Sequence, residues 1–202
     1  IALDHERQHL WLGHNFEGIQ LVNPYTKELI KSLKITSASI FDIQLLGQNA
    51  FIGMSDGVIA VMDIEAFAVK KHIKVSDKSV RSIEVHPTSQ HMAVGLSDWS
   101  IGIIDVVSQQ LITKFKGHDN SVFAVRYSPD GKRLFSVGRD AKIRVWDVKD
   151  NYAVLAEIPA HMYAINDLTF SPDGKYFATA SMDKSVKIWD TTTLKLIKVI
   201  DR

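Results

Sequence analysis

His118 … Ser128-Pro129-Asp130-Gly131-Lys132 … Asp140 … Trp146-Asp147 is written twice in this chain. The second copy, His161 … Ser171-Pro172-Asp173-Gly174-Lys175 … Asp183 … Trp189-Asp190, lies 43 residues downstream. Superposed without a gap, residues 117–147 and 160–190 share nine identities. Apolar positions pair as well, among them Val122/Ile165, Val125/Leu168, Tyr127/Phe170 and Ile143/Val186. A fixed period of about 40–45 residues marks one small structural unit stacked repeatedly.

The repeat fades upstream but does not stop. Ser79-Val80, Pro87, Asp98 and Ile104-Asp105 fall on Ser121-Val122, Pro129, Asp140 and Trp146-Asp147. One step earlier, Ser39-Ile40, Asp56 and Met62-Asp63 take those places, and residues 9–23 read as the back half of another copy. Five units result.

Within a unit the pattern has strand period. Val122 through Tyr127 is a β-rich run stopped by Ser128-Pro129-Asp130-Gly131, where Pro suits position i+1 of a tight turn and Gly131 accepts positive φ. Leu134 through Gly138 follows, then a turn at Arg139-Asp140-Ala141. Lys142 through Asp147 alternates charge with bulk, as a half-buried strand does. Val154 through Ile158 makes a fourth run. No stretch keeps a helical period, so each unit is a four-stranded antiparallel meander.

Composition narrows the function classes. A chain of 202 residues, 46% hydrophobic, suits a compact body, and no apolar run approaches the roughly 20 residues of a membrane span. With a net charge of +1 and no isolated Lys/Arg block, neither a nucleic-acid nor a membrane partner is expected. The absence of cysteine excludes disulfides and thiolate metal sites. The chain starts at Ile1 inside an expected strand, so it reads as part of a longer polypeptide. A cytoplasmic location is expected.

Taken together, the Gly-His pair, Ser-Pro-Asp-Gly, the turn Asp and the terminal Trp-Asp resemble the WD-repeat family of β-propellers. The resemblance is densest over residues 117–190 and extends to the whole chain. It implies an all-β fold of five four-stranded antiparallel blades, near 1–33, 36–74, 79–116, 121–158 and 164–201. The parent ring is expected to have seven blades, with a closed five-bladed ring as the alternative. Family blades are often pinned by a buried network of His, Ser/Thr, Asp and Trp. Carried over, that network is His161, Ser181, Asp183 and Trp189 in the last unit. The fourth unit keeps His118, Asp140 and Trp146, with Gly138 where the hydroxyl is expected. Only Asp98 persists in the third and Asp56 in the second, so apolar packing must serve there.

Two motifs imitate active sites. His5-Glu6-Arg7-Gln8-His9 matches a zinc-peptidase pattern, which requires one helical face, yet it falls in register with a hairpin turn. Gly53-Met54-Ser55-Asp56-Gly57 matches a nucleophile elbow, but a strand follows it where a helix is needed. Both read as turns. No cofactor, metal or catalytic residue is expected.

The function class implied by the resemblance is a non-catalytic scaffold that binds partner peptides or protein loops through one face. The family tends to use the loops before first strands and those between second and third strands. Here they carry Phe41, Arg81, Phe123, Tyr163 and Asn166, and Ser55, Ser97, Arg139 and Met182. Trp99, at a turn where its counterparts are Gly57, Ala141 and Lys184, is either a contact residue or a packed plug. The alternatives are a propeller hydrolase or lactonase with a metal at the central channel, and self-association through open sheet edges if the ring is incomplete.

Overall fold

The structure, a computed structural model, describes residues 1–15 and 18–201. Among them there is no helix; all regular structure is strand. The chain folds as five four-stranded antiparallel sheets in sequence order. The first holds β1 (Ala2–Asp4), β2 (His9–His14), β3 (Gly18–Val22) and β4 (Leu29–Leu33). The second holds β5 (Ile40–Leu46), β6 (Asn49–Met54), β7 (Val58–Asp63) and β8 (Ala68–Lys74). β9 (Val80–Val85), β10 (His91–Leu96), β11 (Ser100–Asp105) and β12 (Gln110–Lys116) form the third. β13 (Val122–Tyr127), β14 (Arg133–Gly138), β15 (Lys142–Asp147) and β16 (Ala153–Pro159) form the fourth. β17 (Ile165–Phe170), β18 (Tyr176–Ser181), β19 (Val186–Asp190) and β20 (Leu196–Ile200) close the series. The chain divides into two compact units, Ile1–Ile83 and Glu84–Arg202.

Burial follows strand position within each sheet. Second and third strands such as β6, β7, β14 and β15 are buried on both faces and read as near-continuous apolar runs. Fourth strands alternate or lie open, as in β16 and β20. Neighbouring sheets supply the cover. In the first unit Trp11, Ile19 and Leu21 pack against Ile43, Ala50, Ile52 and Met62. In the second unit Ala93, Ile101 and Ile103 meet Val122, Val125, Leu134 and Trp146, and Ala124, Phe135 and Val145 meet Ile165, Leu168, Phe177 and Trp189. Phe135 stands edge-on to Phe177 with centroids 5.1 Å apart. This geometry lets the pair add about 0.5–1.5 kcal/mol beyond its buried area.

The turn between second and third strands is built alike in several sheets. Gly57, Trp99, Ala141 and Lys184 sit there with φ of 78°, 75°, 62° and 69°. The left-handed bend swings a carbonyl toward the loop that leads into the next sheet. Gly57 O accepts from Val75 N at 3.0 Å and Ser76 N at 3.2 Å. Trp99 O accepts from Gly117 N at 2.8 Å and His118 N at 2.9 Å, and Ala141 O accepts from Ala160 N at 3.1 Å and His161 N at 3.2 Å. Turn and loop are thereby locked together by main-chain atoms.

The two motifs that imitate active sites are hairpin turns. Residues 5–8 join β1 to β2, and residues 55–57 join β6 to β7. At Gly57 a Cβ would stand 1.9 Å from the Ser76 carbonyl oxygen. Gly47, with φ 57°, has open space around it. Gly57→Ala should therefore cost at least about 2 kcal/mol, against about 1 for Gly47→Ala, in urea unfolding followed by tryptophan fluorescence.

Candidate functional site

Two hydrogen-bonded relays organise the last two sheets. In the fourth, Trp146 Nε1 donates to Ser136 Oγ at 2.9 Å, and Ser136 Oγ lies 2.8 Å from His118 Nε2. His118 Nδ1 is 2.9 Å from Asp140 Oδ1. In the fifth, Trp189 Nε1 donates to Thr179 Oγ1 at 3.0 Å, Thr179 Oγ1 lies 2.8 Å from His161 Nε2, and His161 Nδ1 is 2.8 Å from Asp183 Oδ2. A carboxylate only accepts, so each Nδ1 carries the proton and each Nε2 takes the hydroxyl hydrogen. Every polar atom in the relay then has a partner.

One expected member of this network is wrong. Ser181 is not the hydroxyl between His161 and Trp189; Thr179 is. Ser181 stands at the end of β18, where its hydroxyl donates to Tyr163 O at 3.1 Å and accepts from Asp183 N at 3.1 Å. The corresponding position in the fourth sheet is Ser136, not Gly138, so that unit has its full set. Side chains two apart on a strand share a face, and only the inner one reaches under the indole. The signal was present: residues 136 and 179 both carry hydroxyls at the repeat offset, whereas of 138 and 181 only Ser181 does.

Ionisation follows the same wiring. Burial alone would raise Asp183, but hydrogen bonds from Ser185, His161 and backbone amides hold its carboxyl well below the usual range. Asp140 is likewise lowered, burial being overcome by His118 and by the amides of Asp119 and Lys142. Burial pushes His161 down, against the pull of Asp183. The turn aspartates of earlier sheets play smaller parts. Asp98 bonds Ser100 and Lys114, and Asp56 accepts from Val58 N at 3.2 Å. Where the fourth and fifth sheets have hydroxyl and indole, the second has Ile52 and Met62 and the third has Val94 and Ile104, all fully buried.

Within each sheet, the candidate contact residues lie at the end where its own loops and turns emerge. β5, β13 and β17 each begin with a register shift: Ile40 pairs Met54 while Asp42 pairs Gly53, Val122 pairs Gly138 while Ala124 pairs Val137, and Ile165 pairs Ser181 while Asp167 pairs Ala180. The skipped residues are Phe41, Phe123 and Asn166. A bulge re-aims its extra side chain, here out of the alternation that would bury it. Arg81, the next sheet's counterpart of Phe41, lays its guanidinium over that ring, 4.2 Å from the centroid. Burial lowers the pKa of Arg81.

The remaining candidates divide. Ser55 is taken up by the framework: its hydroxyl accepts from Ser39 N at 3.0 Å and its carbonyl from Ser79 Oγ at 3.2 Å. Ser97 gives its carbonyl to Ser121 Oγ at 3.3 Å. Trp99 is 47% exposed, so its indole is no packed plug. Arg139 is exposed, and Tyr163 and Met182 are 63% and 64% exposed. Sequence reading passed over Met162, which is 85% exposed beside Tyr163.

The loop of the fourth sheet is held by charge instead. Asp119 meets Lys142 at 3.1 Å, Arg144 at 2.8 Å and Lys116 at 3.3 Å, and Glu157 meets Lys142 and Arg144 at 2.7 and 2.6 Å. Hydrogen bonds from Lys142 and Lys116 bring Asp119 down to about 2.

The opposite end of the first strands offers a cavity of about 380 Å³ lined by Glu84, Arg126, Tyr127, Phe170 and the rings of Pro87, Pro129 and Pro172. Arg126 there is 3.0 Å from Asp167 and 3.9 Å from Glu84. Among the described residues no group of three or more His, Asp or Glu side chains is placed to hold a metal ion.

Four-stranded meanders repeated at this spacing, with a buried indole tied through a hydroxyl to a histidine and a turn aspartate, define the blades of a repeat propeller. Residues 109–147 and 153–190 match the family described as WD domain, G-beta repeat. These two matches support a WD-repeat family for the chain. Proteins of this family are in general non-catalytic scaffolds for protein–protein interaction. Comparison with curated proteins finds no match.

Two outcomes test the relay. Thr179→Val keeps shape but strands His161 Nε2 and Trp189 Nε1, and should cost about 2–4 kcal/mol in chemical denaturation; Ser181→Ala should cost about 1. Acidification should destabilise the fold in two windows. With His161 lowered when folded, the unfolded chain takes the proton first, so stability present above about pH 6.5 declines as pH falls through that value. With Asp140 and Asp183 lowered, their contribution is present above about pH 4 and is lost as pH falls further. Thermal midpoints from pH 7 to 3 should show both declines, the first reduced in His161→Gln.

Proposed function

We propose that this chain is a non-catalytic interaction module that captures protein partners through the loop-and-turn edge of its sheets. The observation that carries this is the bulge at the start of β5, β13 and β17. The framework spends an extra residue at the same place in three sheets and turns Phe41, Phe123 and Asn166 out of the core. Aromatic, Arg and Met side chains, the types favoured as interface anchors, share that edge as Trp99, Arg139, Tyr163 and Met182. The histidines and aspartates of the same edge are committed to the relays and ion pairs, so they hold the loops and do not act on a substrate.

Phe123→Ser combined with Arg139→Glu tests the reading. Affinity capture from a lysate should lose its specific partners by at least about tenfold, while the unfolding midpoint stays close to that of the parent protein. Undiminished capture by a folded double variant would overturn the assignment of this edge.

A further inference from the structure

The fifth sheet departs from the fourth at the side chains that leave the framework. Met162 replaces Asp119, Tyr163 replaces Asn120 and Met182 replaces Arg139 at the repeat offset. Among the described residues, the ion network that ties down the loop before β13 has no counterpart before β17, and apolar side chains stand in its place. Yet the supporting main chain is unchanged. Ala141 O still receives Ala160 N and His161 N, Met182 N donates to Ala164 O at 2.9 Å, and Met162 N donates to Asp183 Oδ2 at 3.2 Å. The turn at 139–141, the loop at 160–164 and the turn at 182–184 are thus bonded into one patch.

Charge on this patch has one sign. Arg139 and Lys184 are exposed, and neither guanidinium nor ammonium has an ion-pair partner among the described residues. The carboxylates of the same turns are Asp140 and Asp183, both occupied by histidines and backbone amides. Two free cations therefore flank Met162, Tyr163 and Met182 with no available anion between them. Apolar side chains of this exposure on a bonded scaffold, bracketed by unpaired positive charge, complement a ligand that is apolar at its centre and acidic at its flanks.

Building on the interaction role proposed above, we infer that the patch of Arg139, Met162, Tyr163, Met182 and Lys184 binds an acidic peptide segment carrying a bulky apolar residue. The apolar residue packs on the thioethers and the phenol ring. Asp or Glu residues on either side reach the guanidinium and the ammonium, as bidentate and single charge-assisted hydrogen bonds respectively. Met side chains suit this task because they repack around differing apolar groups.

The test is selection from a displayed library of random 12-residue peptides on the intact chain. It is repeated on Arg139→Glu with Lys184→Glu, and on Met162→Ser with Tyr163→Ser and Met182→Ser. All five positions are exposed, and unfolding curves identify any variant that fails to fold. The expected result is enrichment of peptides with at least two Asp or Glu beside a bulky apolar residue. Their binding should fall roughly tenfold or more in each variant and weaken with added salt. Enriched peptides without acidic residues, lost in the serine variant and kept in the charge-reversed one, would overturn the acidic specificity while leaving the interaction edge standing. Peptides indifferent to both variants, or no enrichment at all, would overturn the patch as a binding site. If the Phe123 and Arg139 double variant also kept its partners in lysate capture, the broader reading would fall with it.

Discussion

An indole N–H taken out of water needs an acceptor, and the last two sheets are built around that need. Trp146 and Trp189 fill the space between sheets with large side chains that are buried almost completely. Each indole N–H lands on a hydroxyl, the hydroxyl lands on a histidine, and the histidine is fixed by a turn aspartate. The aspartate in turn accepts amides of the loop that enters the sheet. One buried donor thereby determines the conformation of a surface loop. The link runs from core packing to the presentation of the candidate contact residues.

The second and third sheets meet the same constraint by removing the polar groups. Ile52 with Met62, and Val94 with Ile104, replace hydroxyl and indole together. A half-replacement would leave an orphaned donor or acceptor costing about 1–3 kcal/mol, whereas replacing both partners by apolar groups is close to neutral. This explains why the repeat fades in sequence while the sheet persists in structure. The left-handed turn residue needs no particular side chain, since its carbonyl does the binding; Gly57, Trp99 and Ala141 all serve. An aromatic at that place is tolerated by the backbone at some strain and is free to face a partner.

The fold class was legible because the repeat states it: Ser128-Pro129-Asp130-Gly131 and its copy mark turns, and alternation marks strands. The blade with the fullest set of signature residues was legible almost entirely, with one slip of two residues from Thr179 to Ser181. That slip arose because both hydroxyls lie on one face of β18, and only depth separates them. The bulges at Phe41, Phe123 and Asn166 left no mark in the sequence, since a register shift is a property of paired strands. Met162 was invisible for a similar reason. Its position follows the framework, and only exposure distinguishes it from an ordinary loop residue.

The central claim is that the histidines are architectural, each holding a proton on Nδ1 for a carboxylate while Nε2 receives a hydroxyl hydrogen. Imidazole nitrogen chemical shifts of His118 and His161, measured by long-range nitrogen–proton NMR at pH 7.5, address it directly. The account predicts neutral rings in the Nδ1–H form for both. Rings in the Nε2–H form, or averaged over both forms as in free solution, would contradict it.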